Sequence, residues 1–208
     1  MSDQATNQQT LAAYNQGIEK YIAGVRAEIE GSLAAWFDTA LHDLPRDAKI
    51  LEIGSANGRD ANHIESHGYQ VERTDGSQAF VDYLTAAGQQ ARVLNILTDP
   101  IPDGYDLILA NAVFLHFTLE EFRSAVKKVH AALVVGGRFA LTLKRGSGDE
   151  TTTIKMDAPR YFRYWQPQDV VTELESIGFQ DVTWTAGDDW REGKPQWLFI
   201  AAQKGQAA

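Results

Sequence analysis

Apolar positions along the chain follow two periods, which separate predicted helices from predicted strands. Between residues 18 and 41 apolar side chains recur every three or four residues, the spacing of one long or two consecutive amphipathic helices with a break at Gly31-Ser32. The first ten residues are polar, and we expect them to be frayed. From residue 45 onwards short apolar runs alternate with helical stretches. This alternation predicts an α/β fold with a mostly parallel sheet.

Seven strands are expected in this second part of the chain. The predicted strands cover 50–53, 69–74, 91–96, 105–110, 138–143, 179–185 and 196–203. The predicted helices begin near 60, 80, 118 and 166, the third with a capping box at Thr118-Leu-Glu-Glu121. The last two strands are joined by residues 187–195, a connection short enough for an antiparallel hairpin.

The stretch after the first strand has the composition of a turn between a strand and a helix. Ile50, Leu51 and Ile53 suit a strand buried on both faces, and the loop Gly54-Ser-Ala-Asn-Gly58 follows it. Glycines at both ends of this loop permit a tight turn and a helix start close to a ligand or the sheet. Nucleotide-like ligands bind at such a place, beyond the carboxyl end of a parallel strand and against the N–H groups of a helix start. A turn that binds nothing is the alternative.

Glu52-Ile-Gly54-Ser-Ala56-Asn-Gly58 resembles the first motif of the class I S-adenosylmethionine-dependent methyltransferases, an acid followed by three alternating glycines. Ala56 stands in place of the middle glycine and adds a methyl group where the backbone approaches the cofactor. A dinucleotide fingerprint would need glycine at Ala56 and Arg59 and is a poorer match. The resemblance implies a Rossmann-like three-layer sandwich with a seven-stranded sheet, an antiparallel final strand and S-adenosyl-L-methionine as cofactor. It also implies that the methionine part is held by Glu52, Gly54, Ser55, Ala56 and Gly58.

Asp75 ends the second predicted strand, 21 residues after Gly54. In nucleotide-binding folds an acid about 20 residues beyond the glycine loop meets the ribose hydroxyls. A carboxylate suits this position because it can accept hydrogen bonds from both hydroxyls of a vicinal diol. We therefore predict that Asp75 and the adjacent Gly76 belong to the cofactor site; the alternative for Asp75 is a turn residue before the glycine.

Two other strand ends carry candidate residues. Asn95 and Ile96 lie at the exit of the third strand, where the resembling family holds and covers the adenine ring, and Asp99 is an alternative to Asn95. Asn111 follows the fourth strand, and parallel topology places it near the methyl donor. His116 is the one histidine in that loop. It is a candidate base for a hydroxyl acceptor, whereas a structural histidine is the alternative.

The segment from Lys144 to Trp165 shows no regular period and is predicted to be a long loop that carries recognition. It ends in the aromatic-basic run Arg160-Tyr-Phe-Arg-Tyr-Trp165, whose side chains can stack on a ring or hold an anionic group. An aromatic anchor that ties the loop to the domain is the alternative. The candidate substrate contacts in this run are Arg160, Arg163, Tyr164 and Trp165.

The leading segment, residues 1–44, precedes the predicted nucleotide-binding core at 45–203, and we expect the two to form one domain over 1–208. In the resembling family such a leading segment covers the cofactor and contributes to the substrate pocket. The resemblance therefore adds Tyr14 and Tyr21 as candidate substrate contacts. Packing of the helix against the core is the alternative for Tyr21.

Composition narrows the possible partners. The 208 residues, 44% hydrophobic and 23% charged, are typical of an α/β domain. The absence of cysteine excludes structural disulfides, thiolate zinc sites and a cysteine nucleophile, and no metal site is expected. A formal charge of −9 argues against extended nucleic-acid binding, although a local basic patch can serve a small anion. No membrane span or signal segment is predicted, so a cytoplasmic protein without a membrane partner is the default expectation.

These features predict an enzyme that transfers a methyl group from S-adenosyl-L-methionine to an oxygen or nitrogen nucleophile of a small molecule, acting as a monomer or homodimer. A non-catalytic module that binds S-adenosylmethionine or a nucleotide is the first alternative. A dinucleotide oxidoreductase is the second, and the missing glycines and the terminal hairpin disfavour it.

Overall fold

The structure, a computed structural model, describes the backbone of residues 3–187 and 196–206 and side chains from residue 6 onwards. Seven helices lie within the described residues: α1 Asp3–Gln16, α2 Ile18–Ala23, α3 Gly31–Leu41, α4 Arg59–Ser66, α5 Gln78–Ala86, α6 Leu119–Ala132 and α7 Pro167–Ile177. The same residues form nine strands: β1 Ile50–Ile53, β2 Val71–Asp75, β3 Ala91–Val93, β4 Tyr105–Ala110, β5 Leu133–Arg145, β6 Asp149–Thr152, β7 Arg160–Trp165, β8 Phe179–Gly187 and β9 Trp197–Lys204. The predicted hairpin connection falls mostly on residues 188–195, which lie outside the described residues.

Seven of the strands form the predicted sheet in the order β3-β2-β1-β4-β5-β9-β8. Strands β1 to β5 pair in parallel, and β9 runs antiparallel to both β5 and β8. The predicted Rossmann-like fold with an antiparallel final strand is confirmed. The carboxyl ends of β1, β2, β4 and β5 therefore open on one edge of the sheet, where the candidate residues were expected.

Strands β6 and β7 are an addition to that sheet, and they correct the prediction of an irregular segment from Lys144 to Trp165. The end of β5 extends past β4, whose last residue Ala110 pairs with Leu141, and Lys144 and Arg145 pair in parallel with Tyr164 and Trp165 of β7. β6 pairs antiparallel with β7. The aromatic-basic run is thus a strand that lies between β5 and β6.

Helices cover both faces of the sheet. α3 and α4 pack on one face through a cluster that includes Trp36, Phe37 and Ile64, whereas α6 and α7 pack on the other face through a cluster that includes Phe122 and Leu174. The capping box at Thr118 is present in both directions and begins α6 as predicted. The helix ends at Ala132, before the Gly136-Gly137 pair, which lies within β5.

The leading segment differs from the prediction in two ways. Helix α1 begins at Asp3, so most of the first ten residues are helical and not frayed, and α2 follows it directly. Gly31 begins α3 instead of breaking a helix. The early residues are ordered by contacts with distant parts of the chain: Thr10 accepts a hydrogen bond from the Tyr161 N–H, and Asn7 accepts one from the Asn95 side chain. Among the described residues, no helix has the length and apolar character needed to cross a membrane.

Candidate functional site

The loop between β1 and α4 has the backbone shape that its glycines predict. Gly54 and Gly58 both have left-handed dihedrals, with φ of 80° and 79°. A Cβ at position 54 would lie 2.3 Å from Val113 Cγ2, so glycine is also required there by close packing. The N–H groups of Gly54 and Ser55 donate to the Thr74 carbonyl oxygen. These internal bonds fix the loop against β2, so these two N–H groups are not the unpaired donors that the sequence predicts.

Ala56 has a left-handed backbone, with φ of 46°, at the position of the missing glycine. This conformation costs about 1–2 kcal/mol for a residue with a Cβ. Its N–H donates to Asp75 Oδ2 at 2.9 Å, which ties the middle of the loop to the end of β2. Gly54, Ser55 and Ala56 line a cavity, while Gly58 lies behind them and donates its N–H to the Ser55 carbonyl.

Asp75 is buried at the end of β2, where its carboxylate organises two loops. Oδ2 accepts from the Ala56 N–H, and Oδ1 accepts from the Ser77 N–H at 2.8 Å. Burial raises the pKa of Asp75 to about 6, against the two backbone hydrogen bonds, which lower it. Each carboxylate oxygen accepts more than one hydrogen bond, so these contacts leave capacity for a diol.

Helix α1 covers the loops that follow β2 and β3. Leu11 packs beside Gly76, where a Cβ would lie 2.8 Å from Leu11 Cδ2. Asn15 accepts hydrogen bonds from the Ser77 hydroxyl and the Ala79 N–H. The predicted ribose and adenine residues therefore lie beneath the leading segment, which is consistent with a covering role for it.

Asn95 has both ends of its amide engaged. Nδ2 donates to Asn7 Oδ1 at 2.9 Å, and Oδ1 accepts from the Leu97 N–H. Ile96 is buried in the core cluster under α6. Asp99, the alternative candidate, accepts from the Asn95 N–H, and this bond is the main reason why its pKa is lowered. An adenine contact at Asn95 would have to replace or share the Asn7 contact.

Asn111 follows β4 and links three elements beside the glycine loop. Its Nδ2 donates to Asp60 Oδ2 at 2.7 Å, and its Oδ1 accepts from the Thr142 hydroxyl at 2.6 Å. Asp60, in the first turn of α4, also pairs with Arg59. Glu52 is buried nearby, with no hydrogen-bond partner for its Oε2 among the described residues. Burial, followed by the charge of Asp60, raises the pKa of Glu52 to about 8.

A cavity of about 830 Å³ adjoins this loop. Its walls come from the β1–α4 loop, the end of β4, the end of β5, strand β7 and the leading helices. Among the predicted site residues it is lined by Tyr14, Tyr21, Gly54, Ser55, Ala56, Asn111, His116, Arg160 and Tyr164. The structure thus brings together candidates from both the cofactor and the substrate predictions.

His116 lies in the cavity wall with both ring nitrogens engaged. Nδ1 lies 2.7 Å from the Tyr161 carbonyl oxygen, and Nε2 lies 2.8 Å from the Tyr14 hydroxyl. Burial lowers the pKa of His116 to about 3; the hydrogen bond to Tyr161 opposes this shift, and the charges of Arg160 and Lys144 add to it. The pKa is therefore far below the ordinary value of 6.5 that the sequence suggests.

Tyr14 and Tyr21 both lie in the cavity and in an aromatic cluster with Phe80. The Tyr14 and Tyr21 rings are 5.7 Å apart, and the Tyr21 and Phe80 rings are 5.1 Å apart. Burial raises the pKa of both hydroxyls, so both remain neutral near neutral pH. The packing and substrate-contact interpretations of Tyr21 are therefore compatible.

The side chains of β7 alternate between the cavity and the opposite face of the strand. Arg160, Phe162 and Tyr164 line the cavity. Arg163 and Trp165, which were also predicted to be substrate contacts, are not among the residues that line it. Trp165 packs against Phe122, with ring centroids 4.4 Å apart, and Arg163 pairs with Asp149. The physical reason is the period of two of a strand, which sends alternate residues to opposite faces.

Several cavity residues carry a charge or a polar group that the sequence analysis does not single out. Lys144 lies near the carboxyl end of β5, where the topological argument used for Asn111 applies equally. Asp60 lies in the first turn of the helix that follows the glycine loop. Lys155 lies in the β6–β7 connection, over the Tyr21 ring. Nothing in the sequence indicates that Lys155 lies at the cavity, because its place there depends on the position of α2, which carries Tyr21.

Comparison with protein-family models matches residues 51–139 to a family described as a methyltransferase domain. The match runs from β1 into β5 and includes the glycine loop, Asp75, Asn95 and Asn111. No curated protein matches the sequence.

Solved structures resemble the fold along nearly the whole chain. Burkholderia thailandensis 1,6-didemethyltoxoflavin-N1-methyltransferase, with 1,6-didemethyltoxoflavin and S-adenosylhomocysteine bound, is 16% identical, with a TM-score of 0.75 over 99% of this chain and 92% of that one. The DhpI–S-adenosylhomocysteine complex is also 16% identical, with a TM-score of 0.75 over 99% and 100% of the two chains. Haemonchus contortus phosphoethanolamine N-methyltransferase 2, in complex with S-adenosyl-L-methionine, is 14% identical, with a TM-score of 0.71 over 99% and 60%. At these identities the likeness concerns the fold.

Proposed function

We propose that the chain is a class I S-adenosylmethionine-dependent methyltransferase that transfers the methyl group to an oxygen or nitrogen atom of a small molecule bound in the cavity. One observation carries this proposal: the glycine loop and the side chains of Tyr14, His116 and Arg160 line the same cavity of about 830 Å³. This volume is within the usual range for small-molecule sites. The loop side of the cavity would take the methyl donor and the β7 side the acceptor.

The residues beside the glycine loop fit a cationic cofactor. Glu52, Asp60 and Asp75 are acids that come from adjoining elements, and Glu52 has a buried carboxylate oxygen without a partner among the described residues. Asp60 lines the cavity beside this loop, and a carboxylate there suits the positive charges of the S-adenosylmethionine sulfonium and amino groups. We propose that the 52–58 backbone seats the methionine part, Asp75 the ribose and Asn95-Ile96 the adenine.

When bound, S-adenosyl-L-methionine supplies an electrophilic methyl group, so the task of the protein is alignment and exclusion of water. The ring cluster of Tyr14, Tyr21 and Phe80 shields one wall of the cavity from solvent. The Tyr14 hydroxyl is hydrogen-bonded to His116 Nε2 and is the group of this pair that an acceptor can reach. A hydroxyl acceptor would pass its proton to Tyr14 as Tyr14 passes its own to His116. An amine that arrives neutral needs no such base.

Incubation of the protein with labelled S-adenosyl-L-methionine and a metabolite extract tests this function. We expect a labelled product whose mass exceeds that of its precursor by one CH₂ unit, and its fragmentation identifies the methylated atom. Asp75→Ala should lose most of the product. Asp82→Ala is its matched control, because Asp82 is an exposed acid in α5, and this variant should form as much product as the wild type. Cofactor binding without any labelled product would favour the non-catalytic module instead.

A further inference from the structure

The guanidinium group of Arg160 is buried in the cavity wall, and no carboxylate pairs with it among the described residues. Its exposed fraction is 6%. Nη1 donates to the Tyr14 hydroxyl at 3.2 Å and Nη2 donates to the Ile154 carbonyl oxygen at 2.7 Å, while Nε has no partner in the described part of the chain. Both acceptors are neutral. Burying a cation without an anion is costly, so a charged partner from outside the chain would relieve an unfavourable arrangement.

Acids near Arg160 in the sequence are engaged with other groups. Asp157 pairs with Lys20, and Asp149 pairs with Arg163 on the opposite face of β7. Glu150 is exposed at the cavity and accepts a hydrogen bond from the Tyr164 hydroxyl. The β6–β7 hairpin therefore contains three carboxylates, and none of them forms an ion pair with Arg160 among the described contacts.

Two cations of the cavity wall lie on neighbouring strands. Arg160 belongs to β7 and Lys144 to the end of β5, and these two strands pair in parallel. Both cations lower the pKa of His116, which also lines the cavity. Lys144 Nζ and the guanidinium of Arg160 also lie over the Phe162 ring, at 4.5 and 5.0 Å from its centroid, so the two cations share one ring.

We propose that the methyl acceptor is an anion, and that its phosphate, phosphonate or carboxylate group binds Arg160 on the side of the cavity that also carries Lys144. The inference rests on the proposed function, because it describes the acceptor of that reaction. The planar fork of an arginine suits two oxygens of one such group. Each Nη nitrogen of Arg160 carries a second N–H beyond the contact described, so the guanidinium has donors left for it. An acceptor whose anionic group is bound at β7 would point its opposite end, which carries the atom to be methylated, toward Tyr14 and the glycine loop.

A thermal-shift experiment with oxyanion probes tests the anion site directly. The protein is saturated with S-adenosylhomocysteine and titrated with inorganic phosphate, methylphosphonate or acetate, with sodium chloride at the same ionic strength as the reference. We expect at least one oxyanion to raise the melting temperature of the wild type above the chloride reference. Arg160→Gln should lower the apparent affinity for that probe at least tenfold, and Arg160→Lys should retain part of it.

Arg163→Gln is the matched control, since it removes an arginine from the same strand on the face that does not line the cavity. It should keep the oxyanion response, and all three variants should bind S-adenosylhomocysteine within about twofold of the wild type. Absence of any oxyanion response in the wild type, or an equal response in Arg160→Gln, would overturn the inference.

A second experiment uses only the wild-type protein, so it does not depend on how the variants fold. The metabolite extract is separated by ion exchange into anionic, neutral and cationic fractions before incubation with labelled S-adenosyl-L-methionine. We expect the acceptor activity in the anionic fraction. Label in the neutral or cationic fraction alone would refute an anionic acceptor while supporting small-molecule methyl transfer. If no fraction is labelled, methyl transfer to a small molecule is itself contradicted, and the thermal-shift result then decides on the anion site.

Discussion

The hydroxyl of Tyr14 lies 2.8 Å from Nε2 of His116, and this contact determines how the histidine can take part in proton transfer. The opposite nitrogen, Nδ1, faces a carbonyl oxygen, which can only accept a hydrogen bond, so Nδ1 carries the proton. Nε2 therefore accepts from Tyr14. A proton released by an acceptor reaches His116 only through the tyrosine oxygen.

Tyr14→Phe and His116→Ala should therefore act as one unit if the acceptor is a hydroxyl. Because His116 is a weak base, each substitution should lower kcat by the low end of the usual general-base effect, about 10²-fold, and the double variant should be little worse than either single variant. Affinity for S-adenosylmethionine should change little. If the acceptor is a neutral amine, alignment supplies most of the acceleration and both single variants should lose less than about tenfold. Steady-state kinetics with the identified acceptor distinguishes these outcomes.

The same contact predicts the pH dependence of the reaction. With a pKa of about 3, His116 is already neutral throughout the range in which an ordinary histidine titrates. Its protonation should therefore produce no rise in kcat/KM near pH 6.5 in the free enzyme, contrary to the expectation from an ordinary histidine. A pH–rate profile of the wild type beside His116→Ala measures this. An inflection near the ordinary pKa that disappears in the variant would contradict the prediction.

Asp75→Ala should weaken binding of both S-adenosylmethionine and S-adenosylhomocysteine. Charge-assisted hydrogen bonds to the ribose are worth about 1.5–3 kcal/mol, so we expect a ten- to hundredfold rise in Kd by calorimetry. Since burial raises the pKa of Asp75 to about 6, wild-type affinity should increase as pH rises through that value and then level off. Asp75→Asn should lack this dependence. Asp82→Ala, at an exposed position of α5, is the control and should bind like the wild type.

Glu52→Gln should change the pH dependence of stability. The pKa of Glu52 is about 8 in the folded protein and 4.5 for an ordinary glutamate, so between these values the folded state holds a proton that the unfolded chain has released. The contribution of Glu52 to the free energy of unfolding therefore falls as pH rises through this window. Glutamine does not titrate. The melting temperature of Glu52→Gln relative to the wild type, without cofactor, should rise from about pH 5 to about pH 8; a constant difference would contradict the raised pKa.

Tyr164 and Arg163 are neighbours on β7, and their substitutions should have different effects. Tyr164→Ala should raise the KM for the acceptor about tenfold with the cofactor Kd within about twofold, because Tyr164 lines the cavity. Arg163→Ala should leave both constants unchanged and lower the free energy of unfolding by up to about 1 kcal/mol, through loss of the partly exposed pair with Asp149. Kinetics and thermal denaturation of the two variants test this. A rise in KM for Arg163→Ala would restore Arg163 as a substrate contact.

Local signals in the sequence were sufficient for the order of the core strands and helices. The apolar runs of β1 and β4 and the capping box at Thr118 each act over a few residues, and each is found where it was predicted. The spacing of Gly54 and Asp75 also survives in three dimensions, since Ala56 in the loop and Asp75 share a hydrogen bond. Such features are predictable because the chain neighbours that cause them are close in sequence.

Contacts between distant residues decided the rest. The run 160–165 becomes a strand because β5 and β6 supply its two partners, and the resulting period of two separates Arg160 from Arg163. Helix α1 is polar, and its position depends on hydrogen bonds to Asn95 and Ser77. The sequence by itself therefore determined the methyltransferase fold and the location of the glycine loop. Only the tertiary structure decided which side chains line the cavity. It also decided that Arg160 is buried without a carboxylate partner in the described residues and that His116 is a weak base. The physical reason is that the burial and charge at those positions come from elements far apart along the chain.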